Sequence, residues 1–136
     1  MYRLGLGIFR LCLLIFGQRI RNFPVGSVRV VGTNTLRTAK NAQEFLAQAE
    51  QALGHPIHVI AGIEEARLIY LGVVYSLGSS QKTRLVMDIG GGSTEYIIGI
   101  GYEQQDKESL NMGCVSVSEL FFKQGVLSKK AFAQAI

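Results

Sequence analysis

The sequence predicts an α/β fold, on three observations. Short β-branched runs at residues 28–31 and 57–60 alternate with longer stretches of helical spacing. Strand, helix, strand, helix is the order of a parallel sheet. After Gly78-Ser-Ser-Gln81 the rhythm changes: strands at about 83–88, 93–100 and 105–111 follow one another through tight turns, which reads as an antiparallel meander. Between the first two of these stands Gly90-Gly-Gly92, with Asp88 before it and Ser93-Thr-Glu95 after it. The change of rhythm places a boundary near residue 80, giving parts 1–80 and 81–136.

The first segment, residues 1–23, is strongly apolar. A signal peptide would take Arg3 as its charged region, but Arg10 interrupts the apolar run and no A-x-A-like cleavage site follows. The run is also too short to span a bilayer, so no stable membrane insertion is expected. A buried amphipathic helix closing with Gln18-Arg-Ile-Arg21 is the reading favoured. Phe23-Pro-Val-Gly26 is a turn. The strand at 28–31 ends in the polar loop Gly32-Thr-Asn-Thr35, at the carboxyl edge where open α/β sheets hold ligands. Leu36, Ala39, Phe45, Leu46, Ala49 and Leu53 then keep helical spacing, with Asn41 as a break. Gly54-His-Pro56 ends that helix. Gly62 opens another, which carries Glu64 and Glu65 in its first turn and closes near Gly78. In the later part Met112-Gly-Cys-Val115 reads as a turn, Ser116-Val-Ser-Glu119 as a capping box, and Ser128 as a helix N-cap.

Composition narrows the function classes. The chain has 136 residues, a length that suits one domain, and is 48% hydrophobic and 18% charged, which excludes disorder. A formal charge of +4 suits an anionic partner, but the basic residues are scattered and no nucleic-acid signature accompanies them. Cys12 and Cys114 lie far apart, with no CxxC and no adjacent His. That pattern is neither a disulfide framework nor a zinc site, and it fits a reducing, cytoplasmic setting. His55 and His58 read as structural or solvent-facing.

The glycine stretch carries the chemistry. Glycine alone reaches positive φ freely and lets another backbone or a ligand come close. Free N–H groups in such a turn take an anion, and Asp88 or Glu95 can hold Mg²⁺ or orient a water. Three glycines alone would also make an ordinary flexible hairpin tip. The carboxylate on each side, with Ser93 and Thr94, favours the anion site.

Asp88-Ile-Gly-Gly-Gly-Ser-Thr-Glu95 resembles the second phosphate-binding motif of the actin and sugar-kinase superfamily. More narrowly, it is similar to that of the exopolyphosphatase and guanosine pentaphosphate phosphatase family. Gly32-Thr-Asn-Thr-Leu-Arg37, Asn41-Ala-Gln-Glu-Phe-Leu46, Gly62-Ile-Glu-Glu-Ala-Arg-Leu-Ile-Tyr70 and Met112-Gly-Cys-Val-Ser116 agree in order and spacing. The resemblance covers about residues 18–136. It implies an incomplete ribonuclease H-like (actin-like ATPase) fold: the end of domain one, a parallel βαβα unit, and the start of domain two, antiparallel strands followed by helices. The family's first phosphate motif, an Asp-Leu-Gly-Ser-Asn-Ser-like hairpin, is absent, so the chain reads as an internal piece of a longer enzyme.

By this resemblance the activity is hydrolysis of a terminal phosphoanhydride assisted by Mg²⁺, in a parent that is a homodimer. Glu65 is implied as catalytic base, with a plain helix-dipole partner as the alternative. Glu64 is left as a helix-terminus residue that pairs with Arg67. Asp88 and Glu95 are implied as metal ligands, and Glu95 also as a positioner of water. Gly90, Gly91, Gly92 and Ser93 are implied as phosphate donors. Arg37 joins them, or else is a solvated helix charge. Gly90-Gly-Gly-Ser93, Gly32-Thr-Asn-Thr35 and Met112-Gly-Cys-Val-Ser116 lean toward inorganic polyphosphate as substrate. Guanosine pentaphosphate is the alternative, and a non-catalytic phosphate- or nucleotide-binding piece is a third reading.

Overall fold

The computed structural model describes residues 6–24, 26–122 and 125–136. The chain forms two compact units, Met1–Ile60 and Ala61–Ile136.

In the first unit, α1 (Leu6–Ile20) is followed by β1 (Val30–Gly32), α2 (Asn34–Thr38), α3 (Ala42–Leu53) and β2 (Ile57–Val59). The strands pair in parallel, Val30 with Ile57 and Gly32 with Val59, as the strand–helix–strand order requires. The helical stretch breaks at Asn41, which stands at the N-cap of α3. Within α3, Phe45, Ala49 and Leu53 recur every four residues, so one stripe is buried. Gly54 ends the helix in the left-handed region at φ 75, its N–H bonding to the Glu50 carbonyl at 2.8 Å. The Glu50 carboxylate in turn accepts the Ile57 N–H at 2.8 Å, which ties the start of β2 to α3.

The expected helix near the N-terminus is present, but it is not buried. Gly17 lies against the end of α3, where an added Cβ would stand 2.7 and 2.8 Å from the Ala52 and Leu53 carbonyl oxygens. Phe9 meets Phe45 edge-on, with ring centroids 5.5 Å apart. On the rest of its surface Ile8 is 82% and Phe16 61% exposed. A helix apolar all round can bury only the ridge that finds a neighbour. Residues 1–5, with Arg3, and Val25 of the expected 23–26 turn lie outside the described residues.

The second unit opens with α4 (Gly62–Leu77). Then come β3 (Thr83–Ile89), β4 (Thr94–Ile100), β5 (Glu103–Leu110), α5 (Cys114–Phe121) and α6 (Lys129–Ala135). The three strands are an antiparallel meander in the order β3-β4-β5, as their tight spacing predicts. Ala66, Tyr70 and Val74, again four apart, pack with Val86 and Ile97 into the core. This stripe is why the compact units divide at Ile60/Ala61 instead of near residue 80. The strand rhythm changes at 80, but α4 buries its apolar face on the sheet that follows it. The ladder slips between Ile98 and Gly99. Gly99 is needed there, because a Cβ would come within 2.6 Å of the Tyr70 ring. Alternation leaves Leu85, Met87 and Ile89 of β3 exposed on the opposite face.

Ser128 caps α6, accepting the Ala131 N–H at 3.1 Å. The cap of α5 differs from expectation. The helix begins at Cys114, inside the expected turn, with Gly113 as N-cap. Ser116 is therefore not the cap. Its hydroxyl accepts the Gly113 N–H at 2.9 Å from the third helical position, the reciprocal half of a capping box one turn earlier than the Ser116–Glu119 pattern suggested.

Candidate functional site

Asp88 closes β3 and Glu95 opens β4, and the two are partners in the antiparallel ladder. Directly opposed residues project from the same face, with Cβ atoms about 4.5–5.5 Å apart. Their environments differ: Asp88 is exposed, whereas Glu95 is 1% exposed. On the other side Glu95 is partnered by Ser109 of β5, whose hydroxyl donates to Glu95 Oε1 at 2.7 Å.

The turn between them is tied at both ends. Gly90 N–H bonds to the Ser93 carbonyl at 2.9 Å and closes the hairpin. The Gly90 carbonyl accepts the Cys114 N–H at 2.9 Å, and the Gly91 carbonyl accepts Val115 and Ser116 N–H at 2.9 and 3.1 Å. Thr94 adds a side-chain tie, its hydroxyl donating to the Met112 carbonyl at 2.5 Å. The first turn of α5 is thus bound to the glycine turn. In a planar trans peptide the C=O of one residue and the N–H of the next point in opposite directions. With the Gly90 and Gly91 carbonyls turned toward α5, the Gly91 and Gly92 N–H groups point away from it. Two successive N–H groups on one side of a turn form an anion-binding concavity.

This geometry corrects two expectations. The glycines with positive φ are Gly26, Gly54, Gly78, Gly101 and Gly125, none of them in 90–92. Close approach is strict at two positions: a Cβ on Gly113 would lie 2.4 to 2.5 Å from backbone atoms of Gly91 and Gly92, and one on Gly90 would lie 3.0 Å from the Ser93 carbonyl oxygen. Moreover, Gly90 N–H is committed to the hairpin through the Ser93 carbonyl, which leaves Gly91 and Gly92 as the turn's candidate donors. Ser93 is 3% exposed, and its carbonyl accepts the Gly90 N–H.

Gly113→Ala is accordingly expected to destabilise the α5–turn contact. The atoms in its way are backbone, not a movable side-chain end, so overpacking should cost about 1–3 kcal/mol or more. Urea denaturation checks this. A midpoint equal to that of the unsubstituted chain would mean that the contact is soft.

The other predicted residues stand on other elements. Glu65 is half-buried in the first turn of α4, its N–H bonded to the Ala61 carbonyl at 2.9 Å. Its neighbour Glu64 makes the expected pair with Arg67, a two-pronged contact at 2.7 and 2.8 Å. That hydrogen bond first, and the Glu64 charge second, raise the Arg67 pKa above its ordinary value. Arg37, in the first unit, donates to the Ile60 carbonyl at 2.8 Å, at the carboxyl end of the parallel strands.

Among the described residues no group of three His, Cys, Asp or Glu side chains gathers around a point. Asp88 and Glu95 are two carboxylates on one face. Mg²⁺ is typically held by one or two carboxylates, with waters and substrate phosphates completing its octahedron. The donor set therefore fits Mg²⁺ and does not fit zinc.

The Ppx/GppA phosphatase family profile matches residues 9–136. The chain belongs to the Ppx/GppA phosphatase family. A guanosine-5'-triphosphate,3'-diphosphate pyrophosphatase of Aliivibrio fischeri (strain MJ11) is 52% identical over 125 residues, covering 92% of this chain and 25% of the relative. The protein of the same name from Vibrio vulnificus (strain YJ016) is 53% identical over the same shares. The chain thus spans about a quarter of the length of these curated relatives, 25% in each. Among solved structures, the Aquifex aeolicus PPX-GPPA enzyme superposes with a TM-score of 0.75 at 36% identity, covering 96% of this chain and 43% of that one. An exopolyphosphatase from Cytophaga hutchinsonii superposes with a TM-score of 0.82 at 28% identity, covering 90% and 39%.

Family membership makes the fold a partial ribonuclease H-like, actin-like ATPase fold, with the parallel pair in one unit and the antiparallel strands in the other. Ppx/GppA proteins are phosphatase hydrolases. Two features of the Ppx/GppA hairpin are not legible in the sequence. Ser109 sits in the polar strand Glu103–Leu110, where nothing in the spacing sets one hydroxyl apart. The Thr94 tie to Met112 joins two motifs that are 18 residues apart.

Proposed function

We propose that the Asp88–Glu95 hairpin is the phosphate- and Mg²⁺-binding half of a phosphoanhydride hydrolase acting on guanosine pentaphosphate. The reading is carried by two ladder-paired carboxylates flanking a turn whose Gly90 and Gly91 carbonyls are taken by α5, which by peptide planarity turns the Gly91 and Gly92 N–H groups away from that helix. The N–H groups take oxygens of the terminal phosphate. A carboxylate beside a polyanion is unfavourable unless a cation bridges them, so Asp88 and Glu95 are the residues that would hold Mg²⁺. When bound, the ion neutralises charge on the phosphate oxygens. Glu65 accepts the proton of the attacking water as its oxygen bonds to the terminal phosphorus and the bridging P–O bond breaks. Arg37, whose planar fork suits a phosphate, is the candidate anion-binding residue of the first unit. The free thiols Cys12 and Cys114 suit the reducing cytoplasm in which we place the protein.

The choice of guanosine pentaphosphate over inorganic polyphosphate follows the relatives that are 52–53% identical, whose names specify it. Polyphosphate is the second reading. It is supported by the motif lean toward Gly90-Gly-Gly-Ser93 and by the structural likeness to a named exopolyphosphatase at 28% identity.

Amide NMR of the 136-residue chain tests the site without requiring turnover. Titration with guanosine pentaphosphate and Mg²⁺ is expected to shift the Gly91 and Gly92 amides and to leave Gly90 nearly still. Tripolyphosphate should do the same at higher concentration. Shifts confined to other segments would reject the site, and tighter binding of tripolyphosphate would reverse the substrate preference.

A further inference from the structure

Glu95 presents an unusual situation for a carboxylate. It is 1% exposed, among the most buried side chains in the protein. Burying a charge is costly unless it is paired or hydrogen-bonded. Among the described residues its side-chain hydrogen bond comes from the Ser109 hydroxyl, at 2.7 Å to Oε1. The two residues face each other across β4 and β5, so the contact is set by ladder register and not by a mobile loop. Asp88 faces Glu95 from the opposite strand. Glu95 is thus the middle of a three-strand row, with Asp88 on one side and a hydroxyl donor on the other.

We propose that Ser109 is a positioning residue for Glu95. Its O–H holds Oε1, fixes the carboxylate rotamer, and leaves Oε2 turned to the cation that Asp88 and Glu95 share. Ser109 is half-buried and makes no contact with substrate in this scheme; it acts through Glu95. Outer partners that orient metal-binding carboxylates are worth a measurable share of affinity, because without them the ligand samples rotamers that point elsewhere. The inference deepens the reading of Glu95 as a metal ligand and rests on it.

The test uses the whole chain and Mn²⁺ as the probe, read by paramagnetic broadening of amide signals, which registers weak sites. In the unsubstituted chain the amides of Asp88, Gly91 and Glu95 should broaden together. Ser109→Ala should need about tenfold more Mn²⁺ for equal broadening. Ser109→Thr keeps a hydroxyl and should restore the response. Glu95→Gln should abolish it, and adding Ser109→Ala to Glu95→Gln should change nothing further. Thermal melts verify that each variant folds. A hydroxyl that serves only stability would lower the melting temperature without moving the Mn²⁺ response. Ser109→Ala broadening like the unsubstituted chain, with Glu95→Gln silent, overturns the role of Ser109 alone. Broadening that survives Glu95→Gln overturns the metal reading of Glu95 and this inference with it.

Discussion

Glu65→Gln is expected to lower kcat for phosphate release by about 10²–10⁴, with little change in substrate binding, when assayed in a polypeptide of the relatives' full length. The substitution keeps size and helical propensity but removes the group that accepts the proton from the attacking water. Its place in the first turn of α4 also complements the helix dipole, a contribution of only about 0.3–1 kcal/mol. The two roles therefore separate by magnitude. Glu64→Gln is the internal comparison, since Glu64 shares the same helical turn and is forked to Arg67 on a partly exposed surface. A solvent-screened surface pair of that kind contributes little, and Glu64 has no part in the proton transfer, so kcat should change little. The measurement is phosphate release by both variants at saturating guanosine pentaphosphate, with melts to confirm folding. Equal, small losses in the two would reduce Glu65 to a dipole partner and move the search for the base to Asp88 and Glu95.

Tyr70→Ala is expected to destabilise the second unit by about 3–5 kcal/mol, the usual cost of truncating a buried aromatic ring. Tyr70 is 0% exposed and lies in the middle of the Ala66–Tyr70–Val74 stripe. Its hydroxyl donates to the Gly101 carbonyl at 3.0 Å, at the β4–β5 turn. Its ring occupies the space that the missing side chain of Gly99 leaves. A domain is commonly stable by only about 5–15 kcal/mol, so this loss is a large part of the total. Tyr70→Phe keeps the ring and removes one hydrogen bond, at about 0.5–1.5 kcal/mol. Urea midpoints of the two variants give the ratio. Comparable losses would mean that the hydroxyl, not the packed ring, anchors α4 to the sheet.

Much of the molecule can be read from local rules. Four-residue spacing marks the stripes of α3 and α4, because an α-helix repeats every 3.6 residues. Close-set strands between tight turns pair antiparallel, and strands joined through helices pair in parallel, because chain connectivity permits little else. The carboxylates on either side of the glycine turn become ladder partners for the same reason: a hairpin folds its flanks together.

Four matters needed the tertiary structure. The helix Leu6–Ile20 has apolar residues on every side, so no pattern within it could say that Phe9 and Gly17 would be the ones to meet α3. The place of α4 depends on which sheet its stripe covers, a fact about residues 86 and 97 as much as about the helix. Gly113 must be glycine because the backbone of Gly91 and Gly92, some twenty residues earlier, packs against it, and none of the turn glycines has a positive φ. The Ser109–Glu95 bond exists only once β5 pairs with β4 in one register. Periodicity and turn chemistry are properties of a few neighbouring residues, so the order of the elements and the acidic, glycine-rich character of the site are legible locally. Which N–H groups face outward, and which hydroxyl holds the buried carboxylate, depend on contacts between segments distant in the chain, and packing decided those.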